Sequence, residues 1–584
     1  MKVDVLVIGG GAAGCMAALQ AHRLGAKVLM VVKGKMGRSG ATPLASGVRL
    51  GPLTGIPPRL LSPLKRIYAR VSDYVRLPLP KPFSGSLAGA VSTHFGLVDQ
   101  EYFLDFGVWM QTFLPFVEES GLYLRRDDQG SLVAVAETGM FHSHGMTGYQ
   151  FGESRRKDVL RAGIDVIEEA TAFTLTSASE GNVGGAMVLD YRSGRLLAVG
   201  AGATIMATGH TDWLSTRATG TREMAANGLA MAVRAGAELH NVEIQWFHAS
   251  DAAAPRSWMR LHHYPNPLHG SDRRVVMRNA KGDVYLDTAD TKVAMPYTIQ
   301  MKELYKQVGK GNADWDHGSF ADFSGVEANA LREYQYHWEF YRHAGKDMSR
   351  DLLECGITWH MCAGGIRADT KTMQTRVPGL FIAGGVGGHM LGSIILATFD
   401  GETAANYAVE YARRVVRRQV DAKDVELAER KLNTLSEVGT AQNVSPIAVK
   451  EQVRAVAWKH MMYRKSERSL HDAISELSRI RTDVVPHMRL RSACQSFNWD
   501  LVDALDVEDM IDVLEISAQA SLARTESRGP HFREDYPFTD NKNWLKHVVV
   551  SREHSKIKTR IADINQKYIK LKRGRVDYLA DPLA

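Results

Sequence analysis

The stretch Val3–Cys15, with the sequence VDVLVIGGGAAGC, decides the fold class of this 584-residue chain. A short apolar run leads into a glycine-rich turn, and an alanine-rich segment continues from the turn to Leu24. This order is typical of a buried strand, a tight turn and a helix in a nucleotide-binding βαβ unit. We therefore predict an α/β protein with a Rossmann-like domain.

The glycines of this turn have separate roles in the pattern G-x-G-x-x-G. Gly9 permits the tight turn, Gly11 lets the backbone approach a pyrophosphate, and Gly14 lets the helix pack closely on the strand. The helix N-terminus favours the pyrophosphate because its unpaired amides and its dipole attract an anion. A second strand is predicted at Lys27–Val32, and it ends without the Asp or Glu that holds the ribose of NAD. That absence argues against NAD.

Two later apolar segments also end in glycines. Leu197–Met206 continues into Ala207–His210, and the strand predicted within Val377–Gly385 has its glycines at the carboxyl end. Ligands of open α/β sheets bind at the carboxyl ends of the strands, so all three segments are expected to converge on one extended dinucleotide. The contacts predicted from the two later segments are Thr208, Gly209, Gly384 and Gly385.

Length and composition exclude several classes of protein. The chain is too long for one core, and its 45% hydrophobic and 23% charged residues are ordinary for soluble enzymes. It has neither an apolar run of about eighteen residues nor an export signal, so we expect a cytoplasmic protein without a membrane span. Its cysteines contain no CxxC pair, so any iron–sulfur cluster is expected on a partner. They are Cys15, Cys355, Cys362 and Cys494.

The positive charge is concentrated near the C-terminus. Asn541–Ala584 contains eleven Lys or Arg against four Asp or Glu, and this excess of 11 − 4 = +7 equals the net charge of the whole chain. Such a segment docks an acidic partner, attracts an anion or forms a solvated surface. It lacks the interleaved aromatic and basic residues of a nucleic-acid groove, so we expect no nucleic-acid partner.

Six ordered motifs then point to one family. They are Val7–Gly14, Lys33–Gly40, Asn227–Ala232 with Ala235–Leu239, Phe247–Ser250, His360–Asp369, and Glu526–Pro537 followed by Asn543–Lys546. With these motifs the sequence resembles the flavoprotein subunits of succinate dehydrogenase and fumarate reductase. That family also includes L-aspartate oxidase and the adenylylsulfate reductase alpha subunit. The resemblance covers nearly the whole chain.

The resemblance implies an FAD-dependent oxidoreductase and an order of domains. An FAD-binding domain is expected at 1–231, with an insertion at about 50–145, and its last part at 353–416. An inserted α+β capping domain is expected at 232–352, a helical domain at 421–546, and a basic tail at 547–584. Family members commonly work with a separate, ferredoxin-like iron–sulfur subunit, and such a partner is expected here.

The resemblance also implies the residues that contact FAD. They are Gly9, Gly10, Gly11, Ala12, Ala13, Gly14, Val32, Lys33, Gly34, Arg38, Ser39, Gly40, Ala41, Thr42, Asn227, and the backbone near Ile395 and Leu396. Where succinate dehydrogenases attach FAD through a histidine after Arg-Ser, this chain has Gly40. A glycine cannot form that bond, so non-covalent FAD is expected. Gly384-Gly385 stands where the family usually has Gly-Glu.

The substrate residues of the dicarboxylate enzymes are only partly present. Two family histidines correspond to His248 and His360, and we expect both to be catalytic. The expected carboxylate-binding arginine is replaced by Met390, and no arginine occurs in 296–304, where the proton-shuttling arginine is expected. A thioether cannot form the bidentate contact of a guanidinium with a carboxylate, so succinate and fumarate are poor candidates.

The predicted cap contains a basic and aromatic cluster: Arg256, Trp258, Arg260, His262, His263, Tyr264 and His269. Such side chains suit a planar or anionic small molecule, and Arg260 and Tyr264 are our further catalytic candidates. Arg260-Leu261 replaces the Thr-Glu pair of the family. Neither the spacing of His262 and His269 nor the other histidines predict a metal site.

Three interpretations of function stay open. In the first interpretation, the chain is an FAD-dependent subunit that exchanges electrons between a small, non-dicarboxylate substrate and an iron–sulfur partner. Alternatively, it is a self-contained FAD reductase or oxidase like fumarate reductase or L-aspartate oxidase. A third interpretation is a non-catalytic flavin-binding scaffold subunit, which the missing arginines motivate.

Overall fold

Strands and helices alternate through most of the chain. The structure, a computed structural model, describes residues 1–45, 47–49, 87, 91, 94–110, 116, 118–119, 121–132, 140–141, 143, 146–177, 181–251, 275–287, 296–326, 328–333, 335–389, 393–415, 420–440, 442–553 and 556–580. Within these residues the strands are β1 (Lys2–Ile8), β2 (Val28–Val32), β3 (Val48–Arg49), β4 (Met140–Phe141), β5 (Asp165–Glu168), β6 (Ala170–Ser177), β7 (Val183–Asp190), β8 (Leu196–Met206), β9 (Leu239–His240), β10 (Gln245–Ser250), β11 (Val276–Asn279), β12 (Val284–Asp287), β13 (Ser319–Asp322), β14 (Leu353–Cys362), β15 (Gly365–Ile366), β16 (Leu380–Ile382), β17 (Arg464–Lys465), β18 (Phe532–Arg533), β19 (Phe538–Asp540), β20 (Lys546–Glu553), β21 (Lys556–Asp563) and β22 (Arg575–Asp577). The α-helices are α1 (Ala12–Arg23), α2 (Gln100–Trp109), α3 (Thr147–Arg161), α4 (Asn227–Arg234), α5 (Pro296–Gly309), α6 (Ala328–Glu333), α7 (Gln335–His343), α8 (Ile394–Arg414), α9 (Ala422–Leu435), α10 (Pro446–His460), α11 (Glu467–Arg479) and α12 (Trp499–Ala523).

A seven-stranded sheet carries the three glycine-ending segments. Its order is β5-β2-β1-β8-β7-β6, and β16 also pairs with β8. Strands β5, β2, β1, β8 and β16 run parallel, whereas β7 is antiparallel to β8 and β6 is antiparallel to β7. The long strand β8 pairs with β7 through its first half and with β16 through its second half. The carboxyl ends of β1, β8 and β16 therefore lie side by side, which confirms the predicted α/β core.

Strand β1 and helix α1 pack without room for a side chain between them. Gly9 has φ +122°, and a Cβ on it would lie 2.1 Å from the carbonyl oxygen of Ala207. A Cβ on Gly14 would lie 2.0 Å from the carbonyl oxygen of Gly9. Both distances are far below van der Waals contact. These contacts explain why glycine is required for the tight turn and for the close packing of the helix.

Two further sheets lie outside the central one. An antiparallel sheet has the order β10-β14-β13-β11-β12, and its strand β14 lies beyond residue 352, the predicted end of the cap. A four-stranded sheet has the order β15-β9-β20-β21. Helix α12 is buried on most sides and packs against α4, α10 and α11. None of the helices in the described ranges has both the length and the apolar composition that a membrane span requires.

Residues 547–580 are built into the molecule rather than extended from it. Strand β20 pairs with both β9 and β21, and β22 pairs with β19. The ring of Tyr578 is fully buried and stacks on Phe532 with 5.2 Å between ring centroids. Its hydroxyl hydrogen-bonds the carbonyl of Gly529 and the hydroxyl of Tyr463. The basic composition predicted a tail, but paired strands and a buried tyrosine anchor most of this segment.

The packing of α1 makes a prediction about stability. We expect Gly14→Ala to lower the free energy of unfolding by about 1 to 3 kcal/mol, because the added methyl group overpacks the contact with the Gly9 carbonyl. Gly309→Ala is the matched control, since a Cβ at that helical glycine has no neighbour within 4 Å. Urea or thermal unfolding measures both effects. Equal midpoints for the two variants would contradict the packing argument.

Candidate functional site

An elongated cavity lies at the carboxyl ends of the parallel strands. The residues that follow β1, β8 and β16 form much of its wall: Gly9–Ala13, Ala207–Asp212 and Ala383–Gly385. The end of β2, the start of β6, the residues around the N-terminus of α4 and the start of α8 also contribute to the wall. Further lining residues come from the segment 39–47 and from β10 and β14. The three glycine-ending segments thus meet at one site, as the sequence predicts.

Most of the predicted cofactor contacts line this cavity. They are Gly9, Gly10, Gly11, Ala12, Ala13, Val32, Lys33, Gly34, Ser39, Gly40, Ala41, Thr42, Thr208, Gly209, Asn227, Gly384, Gly385 and Leu396. Three others lie outside the described wall, namely Gly14, Arg38 and Ile395. Gly14 is packed under the first turn, and the guanidinium of Arg38 is paired with Glu153 on α3. The side chain of Ile395 is fully buried.

Two helices begin at the cavity. The first helical amide of α1, that of Ala12, donates to the hydroxyl of Thr42 at 3.0 Å, and both residues line the wall. Helix α8 begins after Ser393, whose hydroxyl accepts from the amide of Ile395 at 3.3 Å. Because helix N-termini carry unpaired amides and positive partial charge, both favour anionic groups of a ligand.

Side chains of the long helix α12 hold two residues of the cavity wall, Lys33, which follows β2, and Asn227, which begins α4. The ammonium of Lys33 donates to Asn227 Oδ1 at 2.8 Å and to Asp506 Oδ1 at 2.6 Å. The amide of Asn227 donates to Asp506 at 2.9 Å and to Asp509 at 2.6 Å. Both N–H groups of Asn227 therefore donate to side chains of the protein itself, so Asn227 supports the cavity wall.

Helix α12 presents a buried row of aspartates at intervals of three residues, so each lies beside the next on the helix surface. The row consists of Asp503, Asp506, Asp509 and Asp512, and each is at most 3% exposed. Its cationic partners are Lys33, Arg222, Arg234, Lys450, Arg481 and Arg552. Burial raises the pKa of Asp506, but the ammonium groups of Lys33 and Lys450 outweigh burial, so its pKa is lowered. The ion pairs of this row tie the helical bundle to the cavity wall.

The two predicted catalytic histidines are brought together in the cavity. His248 lies on β10 and His360 on the paired strand β14, and both rings line the wall. Their ring centroids are 4.1 Å apart and the rings are nearly perpendicular, at 87°. The hydroxyl of Thr219 lies 2.6 Å from Nδ1 of His360, which fixes the orientation of that ring.

The other catalytic candidates, Arg260 and Tyr264, lie outside the described residues. The same holds for the rest of the predicted cap cluster and for Met390. No arginine lines the cavity within the described ranges. Those ranges also contain no group of three His, Cys, Asp or Glu side chains arranged to hold a metal.

His210 is a cavity residue that the sequence interpretation missed. Its Nδ1 lies 3.2 Å from the carbonyl oxygen of Cys362, so Nδ1–H donates and Nε2 is left as an acceptor. Burial lowers the pKa of His210 to about 4, which keeps the ring neutral near pH 7. A Cβ on Gly385 would lie 2.5 Å from this ring, so the glycine makes room for the imidazole. The signal was present as a histidine directly after Thr208-Gly209.

Asp400 supports the glycine turn that follows β16. Its carboxylate accepts from the amide of Gly384 at 3.0 Å and from the hydroxyl of Tyr102 at 2.7 Å. Burial raises its pKa to about 7, although both hydrogen bonds favour the ionised form. This carboxyl therefore titrates near neutral pH directly behind the cavity wall.

Comparison with protein families identifies the chain. A family described as "FAD binding domain" matches residues 4–57 and 109–394. A second, described as "Fumarate reductase flavoprotein C-term", matches residues 450–577. The chain belongs to the fumarate reductase and succinate dehydrogenase flavoprotein family. This flavoprotein is an FAD-dependent oxidoreductase, and its cofactor is FAD.

Similar proteins cover almost its whole length. It is 25% identical over 574 residues to one subunit of the fumarate reductase (CoM/CoB) of Methanothermobacter marburgensis, covering 94% of this chain and 97% of that protein. It is 23% identical over 589 residues to the 8-methylmenaquinol:fumarate reductase flavoprotein subunit of Wolinella succinogenes, covering 94% and 88%.

Solved structures share the same fold. A quinol fumarate reductase chain of E. coli superimposes with a TM-score of 0.83 at 19% identity, covering 98% of each chain. Adenylylsulfate reductase of Archaeoglobus fulgidus superimposes with a TM-score of 0.77 at 18% identity, covering 98% of this chain and 97% of that one. The predicted fold class, with an FAD-binding domain, a capping domain and a C-terminal helical domain, is thereby confirmed.

The cavity wall fits FAD in three respects. Backbone rather than side chains lines the turns after β1 and β16, so a large planar ligand can approach closely. Two helix N-termini face the cavity and suit the diphosphate and other electron-rich groups. The hydroxyl of Thr208, in the cavity wall, is buried without a hydrogen-bond partner in the described chain. A bound ligand would supply such a partner.

Asp400 makes a prediction about pH dependence. The raised pKa of Asp400 means that ionisation of its carboxyl destabilises the fold. The contribution of this carboxyl to the free energy of unfolding is therefore most favourable below about pH 4, and it is lost as the pH rises through about 7. A change in the pKa of Asp400 from 3.8 to about 7 corresponds to about 4 kcal/mol in the free energy of unfolding. In melting experiments from pH 5 to pH 8, Asp400→Asn should therefore gain stability relative to the parent protein.

A matched control is Asp165→Asn, which changes an exposed aspartate of β5. Its melting difference from the parent should stay constant over the same pH range. A constant difference for Asp400→Asn as well would show that the buried carboxyl does not titrate there.

Proposed function

We propose that this flavoprotein is a catalytic subunit that exchanges two electrons with a small substrate held beside His248 and His360. The observation that carries the proposal is the pair of perpendicular imidazoles in the same cavity as the predicted FAD contacts. FAD, when bound, supplies the two-electron carrier. Electron exchange at a carbon centre must be matched by proton transfer, and imidazoles are the common groups for that task.

The contacts of these groups in the cavity wall support a separate role for each histidine. His360, oriented by Thr219, is the candidate for moving a proton, and His248 packs edge to face against it. His210 is neutral and presents an acceptor nitrogen, so it positions a hydrogen-bond donor of the substrate or of the flavin. The buried β10 and β14 backbone holds both catalytic imidazoles rigidly.

For the substrate, we propose a small molecule that is planar or anionic but not a dicarboxylate. The absence of arginine from the described part of the wall supports this, because dicarboxylate recognition relies on guanidinium groups. Fumarate is the second candidate. It is favoured by the nearly full-length similarity to proteins named fumarate reductases.

Reoxidation of the chemically reduced protein separates these candidates. Absence of reoxidation by fumarate, followed at the flavin absorption band, is expected under the first candidate. Rapid and complete reoxidation would overturn it in favour of fumarate. If no small molecule from a chemically broad set reoxidises the flavin, the non-catalytic scaffold interpretation replaces both.

We also propose that electrons pass through an iron–sulfur partner. The similar proteins of M. marburgensis and W. succinogenes are both named as subunits. Within the chain, Cys15, Cys355 and Cys362 are buried, and burial raises the pKa of each thiol to about 12. Cys494 is exposed and isolated from them. Such cysteines do not supply the thiolate ligands of a cluster, so a separate protein is the place for one.

Gly40 supports non-covalent attachment of FAD. It lines the cavity with φ +74°, and it has no side chain to bond the flavin. We therefore expect acid precipitation of the purified protein to release all of its yellow colour into the supernatant. Flavin that stays with the precipitate would contradict non-covalent binding. Iron and a brown shoulder in the native spectrum would reveal the partner, whereas flavin alone would favour a self-contained enzyme.

His360 provides the mutational test of the catalytic site. His360→Ala should keep its flavin but slow the reoxidation of the reduced protein by at least about 100-fold, because a general acid–base group is lost. The test uses whichever substrate reoxidises the parent protein. His471→Ala, at an exposed histidine of α11, is the control and should react at the parental rate. An unchanged rate for His360→Ala would place the chemistry elsewhere.

A further inference from the structure

Glu223 is a carboxylate in the cavity wall that has no part in the proposed proton transfer. It precedes α4 and is partly buried. It forms no hydrogen bond or ion pair with any residue in the described part of the chain. An acidic side chain in a cavity that makes no hydrogen bond or ion pair within the described chain is available to bind a ligand.

The position of this carboxylate is defined by Gly34, which lies just past the end of β2. A Cβ placed on Gly34 would lie 3.1 Å from Oε1 of Glu223 and 2.6 Å from Oγ of Ser39. The carboxylate thus projects over the backbone at the end of β2. In Rossmann-like folds this is where an acidic residue holds the adenosine ribose. Here the strand itself ends in Val32 and contributes no such residue.

The neighbouring polar groups are already engaged. Lys33 is neutralised by Asp506 at 2.6 Å, and Asn227 uses both N–H groups on Asp506 and Asp509. The ammonium of Lys33 has no acceptor, and Oδ1 of Asn227 already accepts a hydrogen bond from Lys33. Glu223 is therefore the acidic group that remains at this end of the cavity among the described residues.

The chemistry of a carboxylate selects the group that it binds. An ionised carboxylate only accepts hydrogen bonds, and its two oxygens match two adjacent hydroxyl donors. The 2′- and 3′-hydroxyls of a ribose form such a pair. A phosphate at the same place would be repelled, and the neutralised Lys33 does not compensate.

We propose that Glu223 binds the hydroxyls of the adenosine ribose of FAD, and so replaces the acidic residue that β2 lacks. The proposal rests on the placement of FAD in this cavity, which belongs to the proposed function. It makes Glu223 a determinant of cofactor affinity, supplied by a loop that lies far from β2 in the chain.

The test is a titration of the full-length protein, freed of flavin, with FAD and with an FAD analogue whose adenosine ribose lacks the 2′-hydroxyl. The parent protein should bind the analogue about tenfold more weakly than FAD. Glu223→Ala should bind FAD about 10- to 100-fold more weakly and should no longer distinguish the two compounds. Flavin occupancy of the protein as purified provides a second readout.

Two further variants make the outcome specific. Glu223→Gln keeps an acceptor without the charge and should fall between the parent and Glu223→Ala. Glu429→Ala changes an exposed glutamate of α9 and should bind FAD like the parent. Unchanged FAD affinity in Glu223→Ala, or continued discrimination against the analogue, would overturn the proposal.

Gly11→Val tests the cavity itself. A Cβ on Gly11 already lies 3.0 Å from the hydroxyl of Thr42, and the larger side chain would obstruct the N-terminus of α1. Loss of flavin in Gly11→Val together with a neutral Glu223→Ala would reject only the role of Glu223. Full flavin occupancy in Gly11→Val would instead reject the placement of FAD.

Discussion

The whole site depends on a backbone contact that excludes side chains. The carbonyl of Ala207 occupies the space of a Cβ on Gly9, and the carbonyl of Gly9 occupies that of a Cβ on Gly14. This contact holds β1, β8 and the N-terminus of α1 at van der Waals distance, so the ends of two strands and the start of one helix converge. The cavity exists because three backbones approach this closely.

A second constraint is electrostatic. Burying four aspartates of one helix in the interior is costly unless each is paired. The paired cations come from the residue after β2, from α4, from the helical bundle and from β20. The row therefore favours one arrangement of the helical bundle against the sheet. Because Lys33 and Asn227 belong both to this network and to the cavity wall, the packing of α12 and the shape of the cofactor site are physically coupled.

The sequence predicted those features whose signal is local. Apolar runs ending in glycines located the central strands, because a buried parallel strand and a steric need for glycine both leave patterns in a few residues. The positions of His210 and Glu223 in the cavity wall could not be predicted from the sequence, because they lie against Gly385 and Gly34, which are distant in the chain. Aspartates are rarely buried unless they are paired, so the burial of those in α12 follows only from the convergence of distant cations. The basic segment at 547–584 was predicted as a tail for the same reason, since its pairing with β9 is non-local.

The residues that line the cavity are far apart in the sequence, and this affects when the site can form during biosynthesis. Its described residues extend from Ile8 to Ala397, and Asp506, which holds Lys33, is synthesised later still. At about 5 to 20 residues per second, the ribosome needs roughly 20 to 80 seconds between these two ends of the wall. The amino-terminal βαβ unit therefore waits without a complete binding site while the remainder is translated. A complete cofactor site therefore forms only late in the synthesis of the chain.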